Sequence, residues 1–389
     1  VTSTPAATVH DRMAARADRS GVRRIHVLAF RDREDPDAGG SEEHAGQVCR
    51  HLALAGLDVT LHTGRVRGAP ARIARDGYRA LRRGGRLGVF ATSVLDERLG
   101  RMGRADGIVE IFHGVPFFAP LWSRTPQVGV VHHVHLGTWH HLVPWPLARV
   151  GHLFEAHLVP RVYRRRALVT AAPSARDEIV AHYRADPARV VVVPHGLDPR
   201  FSPGGRRWPT PLVMAVARLM PQKGIEDLLP ALVELRAAVA DVTAVIVGDG
   251  PHRARFEALA RSHGATGWLR FTGRVTDSEL VEWYRRAWVV VSASHREGFG
   301  LTLLEAAACA TPVVATRIPG HVDAVDEGRN GLLVDSAAEL PGVLAGLLAE
   351  RCERERLGAA GVEHVARFRW ELTAEGILEA LCDEVDRRR

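Results

Sequence analysis

Short apolar runs alternate with amphipathic stretches along nearly the whole sequence, and this rhythm leaves few folds open. Residues 26–30 (HVLAF), 58–63, 87–92, 108–112, 128–132, 168–172 and 190–193 read as strands. A second series follows at 212–217, 244–247, 269–272, 289–292, 313–316 and 331–334. Helices are expected between them, at 41–55 with Ala45, Val48, Leu52 and Ala55 on one face, and at 225–239, 252–263, 277–287 and 301–310. Residues 145–166 also have helical periodicity. Strands that are apolar throughout and separated by helices indicate a parallel sheet covered on both faces. Two such series predict an α/β chain of two doubly wound, Rossmann-like domains, and 389 residues suffice for two cores. The Pro- and Gly-rich stretch 196–211 reads as the linker. The expected organisation is a flexible polar tail at 1–20, a first domain at 21–200, a second at 201–367, and a last helix at 368–389 that can cross back to the first.

Charge and cysteine usage narrow the setting. No run of about 18 apolar residues occurs, so no membrane span is expected. Cys49, Cys309, Cys352 and Cys382 are scattered and form no C-x-x-C pair, which argues against a zinc knuckle or a disulfide framework and for a reduced, cytoplasmic setting. Residues 1–200 hold 29 Arg against 19 acidic residues, whereas the remainder holds 23 basic against 26 acidic. An anionic membrane surface, a phosphorylated acceptor or nucleic acid would each answer that excess, and so would a coding bias toward Arg. The stretch 69–86 (APARIARDGYRALRRGGR) reads as a solvated Arg-rich helix, with peripheral contact to an anionic membrane as its functional alternative. No nucleic-acid motif occurs, and aromatic residues are only 6% of the chain, too few to interleave a basic stacking surface. Lys223 is the sole lysine, which marks a place where a compact ammonium is wanted.

Ligands of doubly wound sheets sit at the C-terminal edges of the strands, so informative motifs should follow strands. Arg218 and Lys223, in the segment 217–224 (ARLMPQKG), precede a helix start, whose free N–H groups and positive partial charge suit a diphosphate. Residues 247–251 (VGDGP) end one strand and open the next helix, with Gly248 permitting close backbone approach. In 297–305 (EGFGLTLLE), Glu297 precedes a helix and Glu305 lies two turns inside it among apolar neighbours, where a carboxylate needs a reason. Such a carboxylate can accept hydrogen bonds from sugar hydroxyls. Eight of the 20 histidines fall between His113 and His157. In His132-His133-Val134-His135 a zinc site is an alternative, but strand alternation points His132 away from His133 and His135 and no carboxylate or Cys partner follows, so no metal site is assigned. Asp35-Pro36-Asp37 has metal-ligand spacing and reads as a loop.

These three segments, in this order and spacing, resemble the retaining GT-B glycosyltransferases of family four, the group one glycosyl transferases. That family carries an E-x7-E motif, a basic G-R-x-x-x-x-K-G segment and a V-G-x-G-P turn, matched here by Glu297/Glu305, Arg218/Lys223 and 247–251. The resemblance implies a GT-B fold whose two domains face across a cleft, the first on the acceptor side and the second holding a nucleotide sugar. It implies that Arg218 and Lys223 grip the donor diphosphate and that Glu305 holds the ribose. Glu297, with the backbone of Gly298, Phe299, Gly300 and Leu301, would hold the transferred sugar, and Arg274 and Val275 would lie along the base. Gly39 and Gly40 match the glycine loop that approaches the diphosphate, and His132 would contact the sugar near its reacting carbon. The sequence departs from the pattern at Ala217, where Gly is common, and at His195, where Asn is usual.

The expected activity is hexosyl-type transfer from a UDP- or GDP-linked sugar to an acceptor hydroxyl with retention, retention being implied by the resemblance alone. The acceptor could be lipid-linked, a polysaccharide or a small molecule, with the segment 138–146 (TWHHLVPWP) at its entrance. No tightly bound cofactor and no metal requirement are expected. A non-catalytic nucleotide-sugar-binding or scaffold protein on the same fold, and more remotely a basic nucleic-acid-binding protein, are the alternatives.

Overall fold

The structure is a computed structural model that describes residues 7–136, 139 and 145–389. Most of the segment suggested for the acceptor entrance, residues 138 and 140–144, lies outside the described residues. The chain forms two compact units: one ends at Gly196 and regains Phe368–Arg389, and the other is Leu197–Arg367.

The first unit is an eight-stranded sheet. Its strands are β1 (Arg24–Leu28), β2 (Asp58–Thr63), β3 (Arg72–Arg75), β4 (Tyr78–Arg82), β5 (Gly107–Ile111), β6 (Gln127–Val130), β7 (Ala167–Thr170) and β8 (Val190–Val192). Their order is β3-β4-β2-β1-β5-β6-β7-β8, all parallel except the β3–β4 pair. Within the tail expected to be flexible at 1–20, residues 9–20 instead form helix α1 (Val9–Ser20). Thr8 and Asp11 form a capping box, Met13 and Ala17 are buried one turn apart, and Arg16 pairs with Asp383 and Asp386. Val9 packs against the same core, so Val9, Met13 and Ala17 form a short stripe at i, i+4 and i+8, hidden in the sequence by the polar residues around it.

Two further expectations change in this unit. Residues 69–86 do not form a helix but the β3–β4 hairpin, turned by Asp76 and Gly77 at φ 49° and 84°. An Asp-Gly pair with both φ positive is the favoured two-residue hairpin turn, and it outweighs the helical spacing of the arginines. Residues 87–92 do not form a strand but open helix α3 (Gly88–Arg98). A short apolar run does not separate helix from strand by periodicity. Helix α2 (Gly40–Leu54) follows β1, with Ala45, Val48 and Leu52 buried.

The second unit is a six-stranded parallel sheet of β9 (Leu212–Val216), β10 (Thr243–Val247), β11 (Leu269–Gly273), β12 (Val289–Ser292), β13 (Val313–Thr316) and β14 (Gly331–Val334). The order β11-β10-β9-β12-β13-β14 reverses between β9 and β12, the switch point at which such sheets hold ligands. Its helices include α4 (Ile225–Ala238), α5 (Arg253–Ser262), α6 (Asp277–Arg286) and α7 (Leu301–Ala308). Leu228, Leu232, Leu235, Phe256 and Leu344 fill its core.

Helix α8 (Trp370–Arg387) belongs to the first unit, where it packs on α1, α2 and the sheet. A Cβ at Gly107 of β5 would lie 2.7 Å from Leu381 Cδ2, so the helix sits directly on the strand. No helix among the described residues is long and apolar enough to cross a membrane.

Candidate active site

The second unit brings its three motifs to neighbouring strand ends. Residues 217–224 follow β9, 248–251 follow β10 and 293–300 follow β12, and β9 lies between the other two strands. Close backbone approach fixes this arrangement. Gly224 has φ 62°, and a Cβ there would fall 1.9 Å from the Ala293 carbonyl oxygen, so only glycine lets the Lys223 turn rest on the β12 loop. The His295 N–H donates to the Gln222 carbonyl at 2.9 Å. Gly248, at φ 129°, likewise lies against the Ala217 carbonyl. Ala217 itself is not among the residues with positive φ, so the missing glycine there imposes no left-handed backbone.

Lys223 and Glu297 therefore meet. The ammonium donates to Glu297 Oε1 at 2.6 Å, and the Ser294 hydroxyl donates to the same oxygen at 2.9 Å. Burial alone would raise the Glu297 carboxyl, but the Lys223 charge and hydrogen bond, with His321 and Ser294, hold it below its ordinary value. Glu297 is thus a carboxylate that accepts and does not donate. Lys223 keeps two more donors than this pair uses. Arg218 is exposed, and among the described residues none partners its guanidinium. Helices α4 and α7 begin at Gly224 and Gly300 with no side-chain cap, leaving N–H donors and positive dipole ends at this edge.

Glu305 lies inside α7 and accepts from the Tyr284 hydroxyl of α6 at 2.7 Å. Burial pushes its carboxyl up to about 7, with the Tyr284 hydrogen bond acting against the shift. Phe299 is buried, Gly298 and Leu301 are half-buried, and Gly300 has φ 66° at the helix start. Arg274 is exposed and Val275 half-buried just beyond β11. Sequence reading missed Gly320 and His321, which follow β13. A Cβ on Gly320 would meet the Glu297 carbonyl at 2.7 Å, and the buried His321 reaches Ser292 Oγ at 3.2 Å. The Pro-Gly-His run after a strand was the available signal.

In the first unit, Gly39 and Gly40 are exposed where α2 begins, and the Gly39 N–H donates to Glu42 Oε2 at 2.8 Å. Asp35-Pro36-Asp37 is a loop tied by Asp37 N–H to Asp35 Oδ1 at 2.9 Å and by Arg31 to the Asp37 carbonyl at 3.0 Å. Strand β6 ends at Val130, short of the strand expected to reach His132, so His132 lies in the segment beyond it, where the histidines nevertheless divide. His133 packs on His135, with ring centroids 4.2 Å apart, whereas His132 turns to His44 and His195 at 5.0 Å from each. Burial pushes the His132 ring down to about 4, so it is neutral at neutral pH. His44 and His195 were not singled out for this role, because their partners come from distant parts of the sequence. Glu155 was also missed. It sits in a π-helical turn, Phe154–Leu158, and accepts from the His135 N–H, Trp139 Nε1 and the Tyr183 hydroxyl at 2.7, 2.6 and 2.8 Å, anchoring the segment after His132.

Comparison with known proteins gives concordant matches to both halves. The family model described as glycosyl transferases group 1 matches residues 203–364, and that of Glycosyltransferase Family 4 matches 38–201. A D-inositol 3-phosphate glycosyltransferase 2 of Catenulispora acidiphila is 31% identical, over 90% of this chain and 91% of its own length. A D-inositol 3-phosphate glycosyltransferase of Stackebrandtia nassauensis is 30% identical, over 97% and 95%. Among solved structures, a sucrose-phosphate synthase from Thermosynechococcus elongatus superposes with a TM-score of 0.75 at 22% identity, covering 90% of this chain and 96% of that one.

Proposed function

Because the chain belongs to the group 1 glycosyl transferases and is a glycosyltransferase of GT-B fold, we propose that it moves a sugar from a UDP- or GDP-linked donor to an acceptor hydroxyl with retention at the anomeric carbon. The observation that carries this reading is the Lys223–Glu297 pair at the switch point, beside exposed Arg218 and two uncapped helix starts. The difficult event in such a transfer is departure of an anionic diphosphate from an oxocarbenium-like centre. Fixed cationic donors at that place stabilise the developing charge. Arg218 and Lys223 take the diphosphate, Glu305 the ribose hydroxyls, and Arg274 and Val275 the base. Glu297 and the backbone of 298–301 take the transferred sugar. Gly39, Gly40 and neutral His132 are the first unit's contribution to the donor.

A front-face route, in which the leaving phosphate helps deprotonate the acceptor, needs no enzymic nucleophile. It suits a site whose Glu297 is already committed to Lys223. The two curated relatives are named for D-inositol 3-phosphate. A phosphorylated polyol is accordingly the acceptor class to try first, and the Arg excess of the first unit favours an anionic one. A lipid-linked acceptor at an anionic membrane is the competing choice.

Calorimetric titration with UDP, GDP and ADP, with the Arg218→Ala/Lys223→Ala double variant as control, tests the donor site. Binding of one nucleotide, lost in the double variant, is the expected result. Binding of none by the folded protein would sink the donor assignment. Proton NMR of the first-formed product tests retention, and an inverted anomeric centre would refute it.

A further inference from the structure

Three histidines from separate stretches of sequence converge in the first unit. His44 comes from the second turn of α2, His132 from the segment after β6 and His195 from the segment after β8. Each offers a ring nitrogen within 4.8 Å of the other two. His132 Nδ1 and His195 Nε2 are 3.2 Å apart, and the His44 ring stands edge-on to both, with centroids at 5.0 and 4.5 Å.

That separation has a second meaning. Two imidazole nitrogens bound at about 2.0 Å to one tetrahedral ion lie about 3.3 Å apart, so 3.2 Å serves a shared cation as well as a shared proton. A shared proton joins only two rings, whereas a cation also takes the third. The cluster is moreover short of polar partners. His44 is 2% exposed, and its Nδ1 is buried with no hydrogen-bond partner among the described residues. Buried ring nitrogens left so are costly unless something meets them. Three nitrogen ligands with no carboxylate or thiolate suit a borderline ion and leave a fourth position open.

We propose that His44, His132 and His195 form a binding site for one d-block divalent ion of the Zn²⁺ and Co²⁺ class, which pins α2 to the segments following β6 and β8. The site differs from the one that spacing alone suggests, because His133 and His135 face each other and not His132. It is independent of the donor assignments in the second unit and competes with that of His132 alone, and its ligands and its readout lie within the first unit.

The test uses the full chain, stripped with a chelator and titrated with Co²⁺ as probe. One equivalent should bind with the visible d–d bands of a four-coordinate site, Zn²⁺ should displace it, and binding should raise the melting temperature. His44→Gln and His195→Asn should each weaken Co²⁺ binding at least about tenfold, whereas His133→Gln should retain it. A folded wild-type chain that binds no Co²⁺, or binding that survives both His44→Gln and His195→Asn, overturns the proposal. If those variants do not fold, X-ray absorption on the cobalt-loaded wild type decides. Three imidazole ligands support the site, and fewer than three overturn it.

Discussion

Lys223 shows how much one side chain can be held by its surroundings. Its turn is fixed by Gly224 against Ala293, and its ammonium is fixed by Glu297. Truncation removes a positioned cation and leaves the Glu297 carboxylate without its main partner. Lys223→Ala should lower kcat by about 10²–10³, checked by steady-state assay with a saturating donor. A second prediction concerns protonation. Burial holds the Glu305 carboxyl up to about 7, so its carboxylate form, the one that takes the ribose hydroxyls on the proposed reading, fills in as pH rises through that value. Nucleotide affinity should therefore rise between pH 6 and 8, by at most about tenfold per unit, and Glu305→Gln should flatten the curve. Tyr284→Phe removes a hydrogen bond that favours the carboxylate, so the midpoint should move to higher pH; calorimetry across pH reads all three. At this scale the sequence was most legible where residues act near their neighbours in the chain. Lys223 stood out as the sole lysine, and Glu305 as a charge among apolar residues. His44, Glu155, His195 and His321 acquire their partners only through folding, and no local pattern announces them.

Among elements, the parallel strands and their helices were legible because each carries its own periodicity. The edges were not. The β3–β4 hairpin hid beneath arginines at helical spacing, and only Asp76-Gly77 signalled it. Helix α3 hid within a short apolar run, and α1 within a polar stretch whose anchors, Val9, Met13 and Ala17, are three apolar side chains among charged neighbours. One element end carries a conformational cost that can be relieved. Ala310, just beyond α7, has φ 57°, a left-handed backbone that costs a residue bearing a Cβ about 1 kcal/mol. Ala310→Gly should raise stability by a comparable or smaller amount, because glycine also loses more freedom on folding. Denaturant unfolding monitored by the second unit's tryptophans checks this, and a clear loss would show that the Ala310 methyl packs better than its backbone suggests.

At the scale of the whole molecule, the two units should respond separately. Leu381 of α8 is fully buried against the first unit's sheet, so Leu381→Ala should cost about 2–5 kcal/mol there. A donor nucleotide, held by the second unit on the proposed reading, should raise that unit's transition by about 2.7 kcal/mol at a hundredfold excess over Kd. Calorimetric melting should show the two effects in different transitions. A single transition moved by both would show that the units unfold together. The charge is also divided by unit: the first holds 32 Arg against 24 acidic residues, the second 20 basic against 21. The total of +7 is thus the first unit's property, a division that composition alone averages away.

The first unit leaves the chain at Gly196 and resumes at Phe368. During synthesis, every strand of its sheet emerges before the second unit, yet α8, which covers β5 and packs on α1 and α2, emerges after it. The second unit is an uninterrupted segment and can complete its core on the ribosome, while the first must wait with the α8 face of its sheet uncovered. The later-begun unit is thus the first to have its whole sequence made. A stop codon anywhere between Leu197 and Arg367 would spoil both, and exchanging the second unit for that of a relative requires two junctions, one on each side of the insertion.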